Sequence, residues 1–285
     1  DLMPSDNLIT SAQNTWCPGC GNFSIQFALR NAIQGLIADG IPLENIVLVT
    51  GIGCHAKMAD YLEINSFYSI HGRTIPVATG IKLANPDLTV LCCAGDGDAY
   101  AEGLDHLIFA AKRNADITVL IHNNRVYGLT TGQYTPTSPL GYKGKSTPEG
   151  TPEEPFNPLT LMLASGAGFV ARSTSRKMPH LTRIIGQALR HRGFSFVDIL
   201  QICATYFNMT DLYERQGYEL SGHDPADFQA ACKKADEWDY NSDSPIAFGV
   251  FYKEAKTCFE ERFRRHPPSE GGREEPIRVF LERKR

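Results

Sequence analysis

No stretch of the 285-residue sequence approaches the ~18 consecutive apolar residues that a membrane-spanning helix needs. No excess of basic residues exists either: 28 Lys and Arg face 32 Asp and Glu. The resulting net charge of -4 offers nothing to nucleic acid or to an anionic membrane surface. The opening DLMPSDNLIT is no signal peptide. Together these absences predict a cytoplasmic protein, in which eight cysteines stay reduced and a disulfide framework is not expected. No internal repeat is found. "GIGCHA" at 51–56 lacks the third glycine of G-x-G-x-x-G, which leaves a flavin or nicotinamide fold poorly supported.

What remains is an ordinary globular composition, 42% hydrophobic and 21% charged. Residues 21–40 carry apolar residues at helical spacing and end in glycine. "NIVLVTG" (45–51), "DLTVLCCAGDGD" (87–98), "ADITVLIHNN" (115–124), "GFVARS" (168–173) and "FSFVDILQ" (194–201) read as buried strands. Helices are expected near 74–84, 99–114, 158–165 and 178–191, and a long Gly/Pro/Thr/Ser-rich loop over 128–158. This alternation predicts an α/β fold, a parallel sheet with helices on both faces, whose ligands bind outside the carboxyl ends of the strands. Residues 1–210 would form that domain, and 211–285 a polar, helical C-terminal extension packing on the same domain or on a partner subunit and ending in a 20-residue tail or strap.

Two turns at that sheet edge carry the chemistry. Gly95-Asp96-Gly97-Asp98 follows one buried strand, and Asn123-Asn124 follows the next. Neighbouring strands lie ~5 Å apart, so Asp96, Asn124 and the Val126 carbonyl can share one magnesium with a diphosphate. The glycines let the backbone approach that diphosphate. Either turn alone is an unremarkable strand end. Together, with 25 residues between Gly97 and Asn123, they match the thiamine-diphosphate motif.

The cysteines divide into two groups. Cys17 and Cys20 form C-P-G-C ahead of the first helix, a pair that by itself suits zinc, a cluster or redox exchange. Cys54 and Cys203 each follow a strand and reach the same edge as Asp96. Four thiolates suit zinc or a [4Fe–4S] cluster, and two distant ligands arriving beside a cofactor site favour the cluster. Cys92 and Cys93 lie inside an apolar strand and read as core, while Cys232 and Cys258 have no partner spacing.

Cys17-Pro-Gly-Cys20, Gly51-Ile-Gly-Cys54, His71-Gly-Arg73, "ATGIKLANP" (78–86), Gly95-Asp-Gly-Asp98, "NNRVYGLTTGQ.TPT" (123–137) and Cys203-Ala-Thr-Tyr206 occur in this order and spacing. Over residues 10–210 they resemble the β subunit of 2-oxoacid:ferredoxin oxidoreductases. The resemblance implies a thiamine-diphosphate-binding fold and CoA-dependent oxidative decarboxylation of a 2-oxoacid, with electrons leaving singly to ferredoxin. By the same resemblance, Cys17, Cys20, Cys54 and Cys203 would ligate the cluster. Asp96, Asn124 and Val126 would hold Mg2+. Ile52, Gly53, Cys54, His55, Gly95, Gly97, Asp98, Gly128 and Leu129 would line the thiamine diphosphate, and His71 would lie near the reacting centre. Thr131 stands where the family often has Lys, which weakens any substrate inference from that position.

The chain has no second α/β domain to supply the Glu that activates thiamine. An α subunit is therefore expected to bring that Glu and much of the CoA site, in a dimer of αβ heterodimers. Non-redox thiamine decarboxylases and zinc-stabilised binding modules are the alternatives; the four cysteines disfavour the first, and the two turns the second. For the substrate, Lys57, three residues past Cys54, is the expected cation for the distal carboxylate of 2-oxoglutarate, with Arg125 a weaker candidate. Pyruvate is next in preference.

Overall fold

The computed structural model describes residues 7–262 and residue 282. Helix α1 (Asn22–Ala38) forms because Ile25, Ala28, Leu29, Ala32, Ile33 and Leu36 recur at helical spacing and bury one stripe. It ends before Gly40, whose φ of +94° suits glycine, and the Ile41 N–H returns to the Leu36 carbonyl. Then come β1 (Ile46–Thr50), α2 (Met58–Tyr61), β2 (Asn65–Tyr68), α3 (Thr74–Ala84), β3 (Thr89–Gly95), α4 (Leu104–Arg113) and β4 (Ile117–Asn123). A small hairpin, β5 (Val126–Tyr127) and β6 (Gln133–Tyr134), interrupts the long loop. The remainder is α5 (Pro158–Ala164), β7 (Phe169–Thr174), α6 (Met178–Leu189), β8 (Ser195–Leu200), α7 (Thr210–Gln216), β9 (Gly217–Glu219), α8 (Phe228–Ala235) and β10 (Ile246–Lys253).

Eight strands make one sheet, ordered β2-β1-β3-β4-β8-β7-β10-β9. The first six are mutually parallel, and β10 turns antiparallel against β7. From β1 the chain steps outward to β2, then returns to β3 on the other side. Strand order therefore reverses between β1 and β3, which is where an open α/β sheet opens a ligand crevice. Strand alternation sends Val90, Cys92 and Ala94 into the core beneath α3, α4 and α5, and Leu91 and Cys93 into the core beneath α1 and α6. Cys92 and Cys93 are thus core thiols on opposite faces, both fully buried.

Two expectations need correction. The segment after Cys203, expected to be polar and helical, adds two strands to the sheet. "IAFGVFYK" is β-branched and aromatic enough to pair with β7, and the helical reading follows the Lys/Glu-rich stretch beyond it. Its Ile246 and Phe248 pack with Trp238 and Tyr240 against Leu200 and Ile202. Strand β2 is the second departure, since "NSFY" is short, polar at one end and exposed throughout, as an edge strand is. The expected C-terminal tail lies outside the described residues, apart from residue 282. No helix among the described residues is long and apolar enough to cross a membrane.

Candidate active site

The carboxyl ends of β1, β3, β4 and β8 surround a cleft. Ile52, Gly53, Cys54, His55, His71, Gly95, Asp96, Gly97, Asp98, Asn124, Val126, Gly128 and Leu129 all line it. Every cofactor-lining residue named from the sequence, and every expected magnesium ligand, is therefore in one place.

Asp96 is 2% exposed and accepts hydrogen bonds from Thr135 Oγ1 (2.5 Å) and Thr137 Oγ1 (3.1 Å). Both hydroxyls use the same oxygen, Oδ2, which leaves Oδ1 without a side-chain partner among the described residues. Burial pushes the carboxyl up to about 6, against the pull of the two threonine hydroxyls. Asn124 caps the next turn, its Oδ1 accepting from the Val126 N–H at 3.0 Å. Between them Arg125 takes a left-handed φ of +64°. That conformation is held because the buried Arg125 guanidinium donates to the Thr137 and Tyr240 carbonyls, and Ser138 Oγ donates to the Arg125 carbonyl. Arg125 is 1% exposed and fully engaged, so the expectation that it meets substrate is wrong; it shapes the turn that presents Asn124 and Val126.

The glycines make room rather than fill it. A Cβ on Gly97 would sit 2.3 Å from the Tyr127 ring, and one on Gly95 would sit 2.8 Å from His55 Nδ1. His55 Nε2 lies 3.3 Å from Asp98 Oδ2, an ion pair only when the ring is protonated. Asp98 in turn accepts the Gly72 N–H at 2.6 Å and Thr74 Oγ1 at 3.4 Å. It thereby tethers the turn that brings exposed His71 to the cleft.

The four expected thiols gather at the same end. The Cys20 N–H bonds the Cys17 carbonyl, and Gly21 N–H bonds the Ile202 carbonyl, which lays the C-P-G-C turn on the residues before Cys203. Trp16 Nε1 donates to the Cys54 carbonyl at 2.7 Å, fixing the arm from the other side. A methyl on Gly128 would touch both Cys54 Sγ (3.6 Å) and Cys203 Sγ (3.9 Å). Burial raises the Cys20 thiol to about 11, and Cys54, Cys203 and Cys17 each add to the rise. Cys54 is also raised, chiefly by burial, with Lys57 opposing. Among the described residues no group of three or more His, Cys, Asp or Glu side chains is placed to hold a single metal ion.

Family comparison agrees with this geometry. The thiamine pyrophosphate enzyme C-terminal TPP-binding domain matches residues 51–199, and the C-terminal family of the pyruvate ferredoxin oxidoreductase beta chain matches 203–266. The β subunit of 2-oxoacid:ferredoxin oxidoreductase 1 from Aeropyrum pernix is 42% identical, covering 91% of this chain and 84% of its own. The chain belongs to the β subunits of the 2-oxoacid:ferredoxin oxidoreductases. It is thus one subunit of an oxidoreductase that has an α partner. The 2-oxoglutarate oxidoreductase subunit KorB of Mycobacterium tuberculosis is 45% identical over 72% of this chain and 54% of its own. A 2-oxoglutarate:ferredoxin oxidoreductase from Magnetococcus marinus, solved with 2-oxoglutarate, coenzyme A and succinyl-CoA, superimposes with a TM-score of 0.89 at 31% identity, over 98% of this chain and 96% of that one.

Lys57 of this β subunit is not among the residues lining the cleft. It stands one tight turn beyond Cys54, its Nζ donating to Thr15 Oγ1 at 2.8 Å. Sequence reasoning overlooks His122, Tyr127, Thr130 and Gln201, which also line the cleft. His122 and Gln201 are detectable as polar residues ending otherwise apolar parallel strands. Thr135 and Thr137 fall within a motif that assigns them no role; only the folded hairpin shows them reaching Asp96.

Proposed function

We propose that this subunit binds the diphosphate of thiamine diphosphate through Mg2+ at Asp96, Asn124 and the Val126 carbonyl, and a [4Fe–4S] cluster through Cys17, Cys20, Cys54 and Cys203. With its α partner it would carry out CoA-dependent oxidative decarboxylation of a 2-oxoacid, 2-oxoglutarate preferred, and reduce ferredoxin. The observation that carries this reading is the junction at Gly128, where Cys54 and Cys203 flank the wall of the cleft that also holds Asp96 and Asn124.

The residues fit these groups. A buried carboxylate whose side-chain partners are neutral hydroxyls, with one oxygen free of side chains, suits a hard cation. A tetrahedral zinc would draw all four sulfurs to ~2.3 Å of one point. A C-P-G-C turn laid on the residues before Cys203, with Cys54 and Cys203 both beside Gly128, suits a cluster, which spreads its ligands over several irons. When bound, thiamine diphosphate supplies the electron sink for loss of CO2, and the cluster supplies a one-electron acceptor. The chain's own part is to orient and insulate. Gly95 and Gly97 admit the backbone to the diphosphate, Ile52 to His55, Gly128 and Leu129 enclose the cofactor, and the Asp98-tethered turn holds His71, the exposed imidazole of the lining, to exchange protons with substrate.

The preference for 2-oxoglutarate draws support from the KorB relatives and from Lys57, an ammonium one turn from Cys54 on a side chain long enough to swing from Thr15. The α subunit would contribute the thiamine-activating Glu and most of the CoA site, in a dimer of αβ heterodimers. The test is iron, sulfide and thiamine analysis of the anaerobically purified αβ complex. About four irons per β subunit with matching sulfide is expected; one zinc without sulfide would overturn the reading.

A further inference from the structure

Gln201 follows β8 and extends its ladder by one bond, donating its N–H to the Asn123 carbonyl at 2.9 Å. Its side chain, 2% exposed, runs from the cleft wall to the cysteine group. Nε2 donates to Cys20 Sγ at 3.6 Å, an ordinary separation for sulfur, while Oε1 is buried with no partner among the described residues. The amide has little freedom. A Cβ on Gly21 would sit 2.8 Å from Gln201 Cγ, and the next residue is pinned by Ile202 N–H to Ser175 Oγ at 3.2 Å. A thiolate only accepts, so the amide must keep Nε2 on the sulfur.

We infer that Gln201 is a positioning residue that sets the reduction potential of the cluster by donating to the Cys20 thiolate. The inference rests on the cluster assignment proposed above. Reduction adds an electron that the ligand sulfurs share, and an N–H aimed at one of them stabilises the reduced form more than the oxidised one. The residue whose amide reaches Cys20 Sγ is also one of those that line the cleft. Gln201 therefore links the place where electrons originate to the group that receives them. Its removal should lower the potential.

The experiment is a dye-mediated, EPR-monitored redox titration of the anaerobic αβ complex, with iron and sulfide measured on each sample. In Gln201→Leu the reduction equilibrium is expected to fall about tenfold, which is about 59 mV for one electron, with iron and sulfide unchanged. Gln201→Glu keeps the volume should the Leu variant fail to assemble. Its carboxylate loses the donor when ionised, so its midpoint should fall as pH rises while the parent's stays flat. Iron-replete variants with the parent midpoint, and no pH dependence in Gln201→Glu, would overturn the assignment of Gln201. A parent complex without iron and sulfide would instead sink the cluster reading, and this inference with it.

Discussion

Gly51 ends β1 at the rim of the cleft, and a single methyl group there tests how the site is braced. A Cβ at this position would lie 1.9 Å from Asp98 Oδ2, 2.6 Å from Asp98 Cγ and 2.7 Å from Thr74 Oγ1. Contact becomes ordinary only beyond 3.4 Å, so the buried carboxylate must move. It is held by the Gly72 N–H at 2.6 Å, a bond to a charged group worth about 1.5–3 kcal/mol. Overpacking adds about 1–3 kcal/mol. Gly51→Ala should therefore cost roughly 3–5 kcal/mol, which for a chain of this size is on the order of 10 °C in Tm. It should also weaken thiamine diphosphate binding, because the turn carrying His71 loses its tether. Gly80→Ala is the matched control: the same methyl at this exposed position of helix α3 meets nothing within 4 Å and should gain up to about 1 kcal/mol. Thermal unfolding and thiamine diphosphate titration of both variants in the αβ complex decide the matter. A Gly51→Ala complex that melts within 2 °C of its parent (about the effect of 1 kcal/mol) and binds cofactor normally would refute the bracing role of Asp98.

The cysteine assignment predicts that Cys54→Ala loses iron and sulfide, whereas Cys92→Ala, deep in the core beneath α3, keeps both. Asp96 gives a pH signature: with its metal-free carboxyl near 6, Mg2+-dependent thiamine diphosphate affinity should be full above that pH and fall as pH drops through it. Asp96→Asn should remove both the affinity and its pH dependence, and titrations between pH 5 and 8 would expose a flat profile in the parent as a failure. Lys57→Met should raise KM for 2-oxoglutarate far more than for pyruvate, since only the dicarboxylate loses an ion pair; equal losses would assign Lys57 to the cysteine turn.

The parallel sheet is legible in the sequence because its central strands are continuous apolar runs that stop at glycine or asparagine. The placement of Asp96, Asn124, Cys54 and Cys203 at the sheet edge is legible for the same reason, each lying one to four residues beyond such a run. Arg125 shows where that logic stops. A basic residue beside an expected magnesium ligand reads as a substrate contact, yet its side chain is consumed by carbonyls at 137 and 240, positions remote in sequence. Lys57 shows a gentler version: adjacency in sequence to Cys54 brings it near the thiols but not into the cleft lining. The strand at 246–253 escapes notice because its pairing with β7 is antiparallel and long-range, and no local period announces it. Gln201 and His122 escape notice because turns draw the eye, while residues at or next to the end of a strand can also face a ligand.

The two faces of the sheet carry different duties at this edge. On the side of α1, the Gln201 amide and the Cys20 thiol meet. On the other, Asp96 leads through Thr137 to Asn123 Oδ1 (2.9 Å), and Asn123 Nδ2 continues to buried Asp198 (2.9 Å). Burial raises the Asp198 carboxyl, with Arg172 opposing the rise. Arg172 and Asp198 both engage the Tyr240 hydroxyl, and the Tyr240 carbonyl receives Arg125. A buried acid and base of this kind are costly to separate, because each would be left desolvated and alone. Tyr240 lies in the segment beyond residue 210, so the turn between Asn124 and Val126 is braced from the far end of the chain. Those later residues therefore belong to the structure of the site, not to an appendage that could be trimmed without reaching the Asp96 carboxylate.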